Sequence, residues 1–491
     1  PPLTQAAWKR AAITSNWCPE TDMPEALITF VRGDKVGPET DYRDALPVNM
    51  YAVNRPMFGA QGYMLQSSGL THHADVAGID RGGVWNDRFN RHYRVSGESL
   101  IEVAADGSYT VLGTVPGSGP AVMPLSFSTQ AVIADGRYFL YDPTNGFREV
   151  TDPELGSPID GVWVDGLYFF TDGEYIYHTD PGDEEAVDPL KFATAEFIPD
   201  FTYGVAKSED NKILVFGRYS TEYFVNQATA NFQFQRVPSR ALKVGIVGTH
   251  CKTEVAGTTY ILGGRKEEGI SVHALGVGSA QAVSTREVDK VLNAYNESDL
   301  RDAVLESFDD NGTTMVVVHL PNETLVFNQT IAQAAGLDSA WSIYKTDVYG
   351  EAPWRAKFGV FDNNIGKWVF GDRQEGILGV LDDAVATQYG EIVEWVLYTP
   401  FLYLKQQSID KMDIETIPGY TGSDDATVFV SLTYNGVTWG REWTELYGGP
   451  TDYNKRFEVR RLGYVEDWVG IKLRGATTSR MAFNRGYISY G

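Results

Sequence analysis

Short strand patterns joined by Asp-Gly turns recur along much of this 491-residue chain. Apolar and polar residues alternate on either side of each turn, which is the pattern of a half-buried β-strand. Asp-Gly supplies the positive φ angles that a tight hairpin turn requires. The turns lie at Asp106-Gly107, Asp135-Gly136, Asp165-Gly166 and Asp172-Gly173. The chain is therefore predicted to be all-β.

The spacing of these turns limits the architecture. The first three follow one another at intervals of 29 and 30 residues. Because a four-stranded propeller blade takes roughly 40–45 residues, the interval indicates recurring hairpins and not a blade length. Further short strands with aromatic residues and glycines follow, in segments such as NKILVFGRYSTEYFV and WRAKFGVFDNNIGKWVFGD. Many short strands of this kind predict a propeller or a sandwich.

The C-terminal part predicts two more hairpins and a domain of its own. Val428–Trp443 alternates apolar and other residues and contains Asn435-Gly436, which favours a tight turn. Lys455–Gly475 repeats the alternation and is predicted to be the second hairpin. We place the start of a sandwich-like, β-rich domain near residue 395, so that this domain covers 396–491.

One helical interruption is predicted within the β pattern. Ser284 and Glu287 match a capping box, and apolar residues follow at helical spacing. The pattern indicates a helical insertion over about 284–307 whose role is core packing.

Two other segments depart from the strand pattern. Residues 1–40 lack periodicity and are predicted to form an extended N-terminal arm; docking on a neighbouring subunit and an ordered coil both remain open. The acidic stretch Thr179–Phe192 carries two prolines and predicts an exposed loop. The β-propeller-like domain is assigned to 41–395.

The charge of the chain argues against a nucleic-acid-binding surface. The net charge is −24, from 65 acidic and 41 basic residues, whereas affinity for nucleic acid depends on neutralising phosphates. The acidity is explained either by solubility or by an acidic passage through which DNA slides without adhering. No apolar run approaches the roughly 20 residues of a membrane helix, and we expect neither membrane insertion nor Sec-dependent export.

The residues that usually carry chemistry do not form a known pattern. Cys18 and Cys251 are interpreted as reduced core thiols. The seven histidines lack metal-ligand spacing, and His72-His73 is interpreted as a surface pair. His250-Cys251 is a poor base and nucleophile, because adjacent side chains rarely reach one atom. The sequence assigns no catalytic, cofactor-binding or metal-binding residue, and it predicts no cofactor and no enzymatic activity.

Sugar chemistry is the remaining possibility that the residues suggest. Gly436, Thr438 and Trp439 fit a turn motif of sialidase-like propellers, but Leu432 and Tyr434 replace its Ser and Asp. This difference favours residues that stabilise a hairpin over an active-site motif. Paired carboxylates suited to a glycosidase cannot be recognised from sequence. Some aromatic clusters could stack on sugars, although filling of a sheet core explains them more simply. These clusters are Tyr168, Phe169 and Phe170, and Tyr398, Phe401 and Tyr403.

Several segments, in order, resemble a known family. The likeness begins in DYRDALPVNMYAV (Asp41–Val53) and GIDRGGVWN (Gly78–Asn86), and continues in STQAVIADG, STEYF and GIVGTHCKT. It extends through the DAVLES…VVVHLPNETLVFN block, QYG…LYTPF, YNGVTWGRE and RRLGYVEDWVGIKLR. The chain resembles the packaged-DNA stabilisation proteins, also called tail hub or head-completion proteins, of short-tailed, lambdoid-type Salmonella phages. Residues 1–40 and the stretch around Thr179–Leu190 depart from the family pattern.

The resemblance implies a structural protein of the virion tail. Members of the family assemble as a ring, expected to be a hexamer, below the portal and its adaptor. This ring continues the DNA channel, retains the packaged genome, and contacts a tail needle or plug and tailspikes or fibres. The family implies a β-propeller with an additional β-rich domain and no catalytic residues. DNA would pass without sequence-specific binding, and assembly would take place in the bacterial cytoplasm.

Two other functions remain open beside this one. The same architecture could form a carbohydrate- or receptor-binding module, or a glycosidase. A hub subunit is expected to form rings or to co-purify with neighbouring tail proteins. A lectin would bind glycans as an isolated subunit, and a glycosidase would release reducing sugar until one carboxylate is substituted.

Overall fold

The computed structural model describes residues 24–31, 45–57, 60–229, 232–422, 426–453 and 456–491. The predicted arm at 1–40 therefore lies mostly outside the described residues, as does Cys18. The described chain begins with four strands. The first three belong to the same sheet as strands from the C-terminal part of the sequence. The four strands are β1 (Glu25–Thr29), β2 (Met50–Val53), β3 (Tyr63–Gln66) and β4 (Gly69–Asp75).

Seven antiparallel sheets follow within the described residues, and each is one blade of a propeller. Blade one contains β5 (Asp80–Asn86), β6 (Arg91–Ser96), β7 (Ser99–Val103) and β8 (Tyr109–Thr114). Blade two contains β9 (Gln130–Ala134), β10 (Arg137–Asp142) and β11 (Gly146–Glu149). Blade three contains β12 (Asp160–Val164), β13 (Leu167–Thr171), β14 (Ile176–Asp180) and β15 (Asp183–Ala193). Blade four contains β16 (Thr202–Lys207), β17 (Ile213–Gly217), β18 (Thr221–Asn226) and β19 (Phe234–Arg236).

The later blades include the helices of the described chain. Blade five contains β20 (Gly245–Ile246), β21 (Lys252–Val255), β22 (Thr258–Gly264), β23 (Ser271–Gly276) and β24 (Ser279–Ala282). Helices α1 (Arg286–Leu292) and α2 (Glu297–Leu300) precede blade six, which contains β25 (Val304–Asp310), β26 (Thr313–His319), β27 (Thr324–Asn328), α3 (Gln329–Ala335) and β28 (Trp341–Tyr344). Blade seven contains β29 (Ala356–Asp362), β30 (Lys367–Asp372) and β31 (Ile377–Asp382).

The blades close into a circle because apolar clusters join each blade to the next. One cluster packs Tyr93 and Val95 of blade one against Val132 of blade two, and a corresponding cluster packs Ile101 of blade one against Val369 of blade seven. Strand β4, which precedes blade one in the chain, pairs with β31 and completes blade seven. The two ends of the propeller are thereby joined in one sheet, and the predicted propeller is confirmed.

The predicted Asp-Gly turns lie between paired strands. Asp135 and Gly136 have φ angles of 49° and 73° and connect β9 to β10. Asp165 and Gly166, at 53° and 87°, connect β12 to β13 in the same way. Positive φ at both positions matches the right-handed twist of the flanking strands, so this local signal correctly predicted the hairpins.

The C-terminal domain is a sandwich of two sheets. Its strands are β32 (Glu394–Tyr398), β33 (Leu402–Tyr403), β34 (Gln407–Thr416), β35 (Thr427–Thr433), β36 (Glu442–Leu446), β37 (Phe457–Val465), β38 (Trp468–Ala476) and β39 (Ala482–Tyr490). One sheet has the order β32-β38-β35-β36, and the other contains β39, β34 and β37 together with β1, β2 and β3. Val428, Ile471 and Met412 meet in the apolar core between the sheets.

Two of the predicted C-terminal turns are different in the structure. The segment Lys455–Gly475 is not a hairpin, because β37 pairs with β34 while β38 pairs with β32 and β35 in the opposite sheet. The first hairpin does form, but an eight-residue loop, and not a tight turn at Asn435-Gly436, joins β35 to β36. Alternation predicts which residues are buried, but not which partner a strand selects.

The predicted helical insertion is shorter than expected. Helix α1 ends at Leu292 and helix α2 at Leu300, and Val304 and Leu305 already belong to β25. The capping box at Ser284 does not form, since the residue that precedes α1 is Thr285 and no side chain caps the helix. The predicted loop at Thr179–Phe192 is instead part of the β14–β15 hairpin, in which β14 is largely buried and Val187 is the one buried residue of β15. Its Pro189 is tolerated because β15 is an edge strand.

The structure divides the chain differently from the boundary drawn at residue 41. Strands β2 and β3, within the region assigned to the propeller, lie in the sandwich sheet. Glu25–Thr29, within the predicted arm, is a strand paired with β39. These pairings join residues more than 400 positions apart, such as Glu25 and Ser489, and no local pattern reveals them.

Candidate functional site

Charged side chains fill part of the propeller axis, where the first strands of the blades meet. Asp80 on β5 accepts hydrogen bonds from Arg94 on β6, at 2.9 Å from Nε and 2.6 Å from Nη2. Arg94 also donates to the Phe358 and Val369 carbonyls of blade seven, at 2.6 and 3.3 Å. Because Arg94 and Asp80 are both buried, the ion pair holds Arg94 where it joins the first and last blades away from solvent.

The motif GIDRGGVWN, which contributes to the family resemblance, builds this side of the axis. Arg81 donates to the carbonyls of Gly119 and Val115, at 2.6 and 2.8 Å, and so holds the segment between blades one and two. Gly83 lies against the Arg94 guanidinium, and a Cβ at Gly83 would come within 3.0 Å of it. Glycine therefore leaves room for the close approach of a buried cation.

A second group of charges lies around the same axis. Lys252 donates to Asp160 at 2.7 Å and links blade five to blade three. Glu306 on β25 binds the Nε2 of His319 and accepts from the Gly359 amide at 2.6 Å, which links blades six and seven. Lys357 and Arg373 line an adjoining cavity of about 650 Å³ together with Asp299, Asp302 and Glu323. This mixed lining specifies no single class of ligand.

The histidines of the axis are suited to structure and not to proton transfer. Burial lowers the pKa of His92 to about 4, although the Asp362 Oδ2 accepts from its Nδ1 at 3.0 Å. Burial likewise lowers the pKa of His319. Within the described residues, no group of three or more His, Cys, Asp or Glu side chains could hold a metal ion.

His250-Cys251 does not form a nucleophile and its base. The buried thiol of Cys251 donates to the Leu300 and Ala303 carbonyls, at 3.5 and 3.4 Å, and burial raises its pKa to about 12. A thiolate is the reactive form of cysteine, so this thiol is a packing residue, as the sequence predicted.

His250 gives the protein a testable dependence on pH. Burial, followed by Lys252 and Lys357, lowers its pKa to about 3, whereas unfolded histidine titrates near 6.5. Below about pH 6.5 the unfolded state binds a proton at this histidine, whereas the folded state does not bind it until about pH 3. The free energy of unfolding is therefore not reduced by His250 above pH 6.5, and it decreases as the pH falls from 6.5 to 3. We expect His250→Gln to reduce the loss by about 1 kcal/mol per pH unit between pH 6.5 and 5. Urea unfolding of both proteins at several pH values measures this difference, and parallel curves would contradict it.

The aromatic residues considered for sugar stacking are mostly internal. Tyr168, Phe169 and Phe170 are fully buried, so they fill the core of blade three as the simpler interpretation predicted. Tyr403 is exposed, but it packs on Trp468 with ring centroids 4.9 Å apart. The partial sialidase-like motif is a loop in which the Asn435 Oδ1 accepts from the Val437 and Thr438 amides, both at 2.9 Å.

Sequence reasoning missed the junction between the two domains. Asn49 is buried at φ 49°, and its Nδ2 donates to the carbonyls of Lys345 and Glu394 at 3.0 and 2.7 Å. Its Oδ1 accepts from the Lys345 amide at 3.0 Å. One side chain thus joins the N-terminal segment, blade six and the sandwich. The only sequence signal is an asparagine between apolar residues in DYRDALPVNMYAV.

Arg480 reinforces this junction from the other end of the chain. Its guanidinium donates twice to the Gln66 carbonyl, at 2.9 and 2.6 Å, and once to the Asp383 carbonyl at 3.1 Å. Gln66 ends β3 of the sandwich, whereas Asp383 follows β31 of the propeller. The two domains therefore contact each other through specific, buried polar groups.

The comparisons with known proteins agree with this two-domain structure. A family model described as "Bacteriophage P22 Gp10, beta-propeller" matches residues 26–386, and one described as "Bacteriophage P22 Gp10, beta-sandwich" matches residues 394–491. The protein named "Tail hub protein gp10", from Salmonella phage P22, is 29% identical over 478 residues, covering 93% of this chain and 98% of that protein.

Some solved structures resemble part of the chain. Virginiamycin B lyase from Staphylococcus aureus matches with a TM-score of 0.41 and 10% identity, over 63% of this chain and 97% of that chain. The WD40 domain of Neurospora crassa Pan2 matches with a TM-score of 0.40 and 9% identity, over 64% and 95%. These distant likenesses carry no argument about activity. The family models together cover the propeller and the sandwich, and the chain belongs to the phage protein family described by P22 Gp10.

Proposed function

We propose that this chain is a structural subunit of a phage tail hub, located in the virion tail. The observation that carries the proposal is that the family models match both domains in order, and that the relative named as a tail hub protein aligns over 98% of its length. In this role the chain acts by shape and catalyses no reaction. A buried high-pKa thiol and low-pKa histidines are consistent with that role.

The finer proposal is a closed ring, expected to be a hexamer, that continues the DNA channel below the portal and adaptor. Closed rings form when one heterologous interface repeats at a rotation that closes. Ion pairs such as Asp160–Lys252 occupy the propeller axis, which favours a channel between subunits over one through each propeller. The edges of the blades and the sandwich offer surfaces for neighbouring chains.

The acidity of the chain suits a channel wall. Each subunit carries −24, and a wall of like charge to DNA repels the polyanion and does not retain it by phosphate contacts. The ring would hold the genome through its plug and needle, and would offer its sides to tailspikes or fibres. A ring with a basic lumen and its acids outside would contradict this part of the proposal.

Electron microscopy of complete particles tests the hub role. We expect this chain to account for a ring of density between the adaptor and the needle, and particles that lack the chain to lose DNA and infectivity. The purified chain is expected to release no reducing sugar and to bind no glycan as a monomer. Infectious particles without this chain would refute the proposal.

A further inference from the structure

A small cavity on blade three lies apart from the axis and from the domain junction. It is formed by the β13–β14 turn, strand β15 and the turn that contains Gly156, and its volume is about 230 Å³. Sites for small molecules usually measure about 300–1,000 Å³. The cavity is therefore of a size for one long side chain.

Aromatic rings form one wall of this cavity. Tyr175 and Phe192 meet edge to face, with ring centroids 5.2 Å apart and an interplanar angle of 88°. They are 36% and 48% exposed, so part of their surface is open to a ligand. The face of an aromatic ring carries partial negative charge and attracts a cation within about 6 Å.

A buried hydroxyl group faces the same space. Tyr177 is only 6% exposed, and among the described residues its Oη has no hydrogen-bond partner. This oxygen lies 4.0 Å from the position of a Cβ built on Gly156, at the cavity lining. Burial and then Asp172 raise the pKa of Tyr177, so the hydroxyl stays neutral and can accept a hydrogen bond from a ligand N–H.

Carboxylates complete the lining. The Asp172 Oδ1 accepts from the amides of Glu174 and Tyr175, at 3.0 and 2.7 Å, which fixes its position at the turn. Within the described part of the chain, neither Asp172 nor Glu154 has an ion-pair partner. Asp188 differs, because Lys191 lies 3.5 Å from its Oδ2. Two uncompensated acids beside aromatic rings favour a cationic ligand.

We propose that Tyr175, Tyr177, Phe192, Asp172 and Glu154, here called the cation cage, bind an arginine side chain of a neighbouring protein in the virion. The identity of the neighbour as a virion chain rests on the proposed hub function. A guanidinium group stacks on aromatic faces and bonds to a carboxylate at the same time, which an ammonium group does less well. Leu190 on β15 is 79% exposed and offers apolar contact to the residues that flank the arginine.

The test uses the purified full-length chain and Nα-acetyl-arginine methylamide as the probe. Ligand-detected NMR titration is expected to show saturable binding, at least about tenfold tighter than binding of the citrulline analogue, which has nearly the same shape but no charge. Asp172→Asn keeps the acceptor oxygen for the turn amides, and we expect it to weaken binding about three- to tenfold. Phe192→Leu is expected to weaken binding to a similar extent.

A matched control is Phe127→Leu, which removes another exposed aromatic ring, one that packs on Trp163 outside the cage. We expect unchanged affinity in this variant. Equal binding of the citrulline probe, or no effect of Asp172→Asn and Phe192→Leu, would overturn the cation cage. The hub role is scored separately: rings that form without arginine binding refute the cage alone. Arginine binding by a chain that forms no ring and co-purifies with no tail protein refutes the hub role.

Discussion

Replacement of Arg94 by methionine is expected to lower the free energy of unfolding of the propeller by about 3–5 kcal/mol. The variant leaves Asp80 buried without its cation and leaves the Phe358 and Val369 carbonyls without their donor. An unpaired buried charge costs far more than a lost surface contact. Denaturant unfolding, followed by tryptophan fluorescence and circular dichroism, measures the loss.

Two further variants identify the origin of the stability that Arg94→Met is expected to lose. Asp80→Asn in the Arg94→Met background removes the stranded charge, so it is expected to recover a substantial part of the lost stability. Arg137→Met removes an exposed ion pair with Glu149, and we expect no change in its unfolding midpoint because exposed pairs contribute little. An Arg94→Met protein as stable as the original would show that the axial ion pair does not join the blades.

Asn49→Ala is expected to destabilise the junction between the domains by about 3–4 kcal/mol. The change leaves the Glu394 carbonyl and the Lys345 amide without the Asn49 side chain, each at a cost of about 1–3 kcal/mol, whereas the Lys345 carbonyl keeps the Gln388 Nε2 donor at 3.2 Å. It also places alanine at φ 49°, a conformation that asparagine adopts more readily than alanine. We also expect the propeller and the sandwich to unfold in separate steps. Differential scanning calorimetry measures both the shift in Tm and the number of transitions.

Substitutions at Asn49 and Asn90 separate the effect of the lost hydrogen bonds from the effect of the positive φ angle. Asn49→Gly removes the amide but tolerates the positive φ, so most of the loss should remain. Asn90→Ala tests the backbone term alone, because Asn90 is exposed at φ 57°, and about 1 kcal/mol is expected. If Asn49→Gly retained the stability of the original protein, the hydrogen bonds of Asn49 would not be the main link.

Local signals in the sequence were sufficient for the blades and insufficient for the connections between sheets. Asp135-Gly136 and Asp165-Gly166 determine their hairpins because the turn needs positive φ at both residues. Glu466 and Asp467 also connect two alternating strands, yet these strands enter opposite sheets. The carbonyls of both residues accept from Gln406 and Leu404, far away in sequence, so the geometry of this connection depends on a tertiary contact.

The buried charges at the propeller axis also depend on contacts between segments that are far apart in sequence. On β6, His92 and Arg94 lie on one face and Tyr93 and Val95 on the other, all of them buried. Alternation alone would place the charged face in solvent. Sequence reasoning therefore could not identify this cluster, because its partners Phe358 and Asp362 come from the last blade. The absence of a catalytic motif is weak evidence about function. The structural role is predicted instead by the family resemblance, whose motifs occur in the same order along the chain.

The pairing of β1 with β39 has a consequence for synthesis of the chain. Residues 25–29 are synthesised more than 450 residues before residues 485–489, with which they pair. The propeller can fold while translation continues, whereas the sandwich sheet waits for the final strand. A polypeptide interrupted before β39 would leave β1, β3 and β34 without this partner, so the sandwich can be complete only in chains translated through β39.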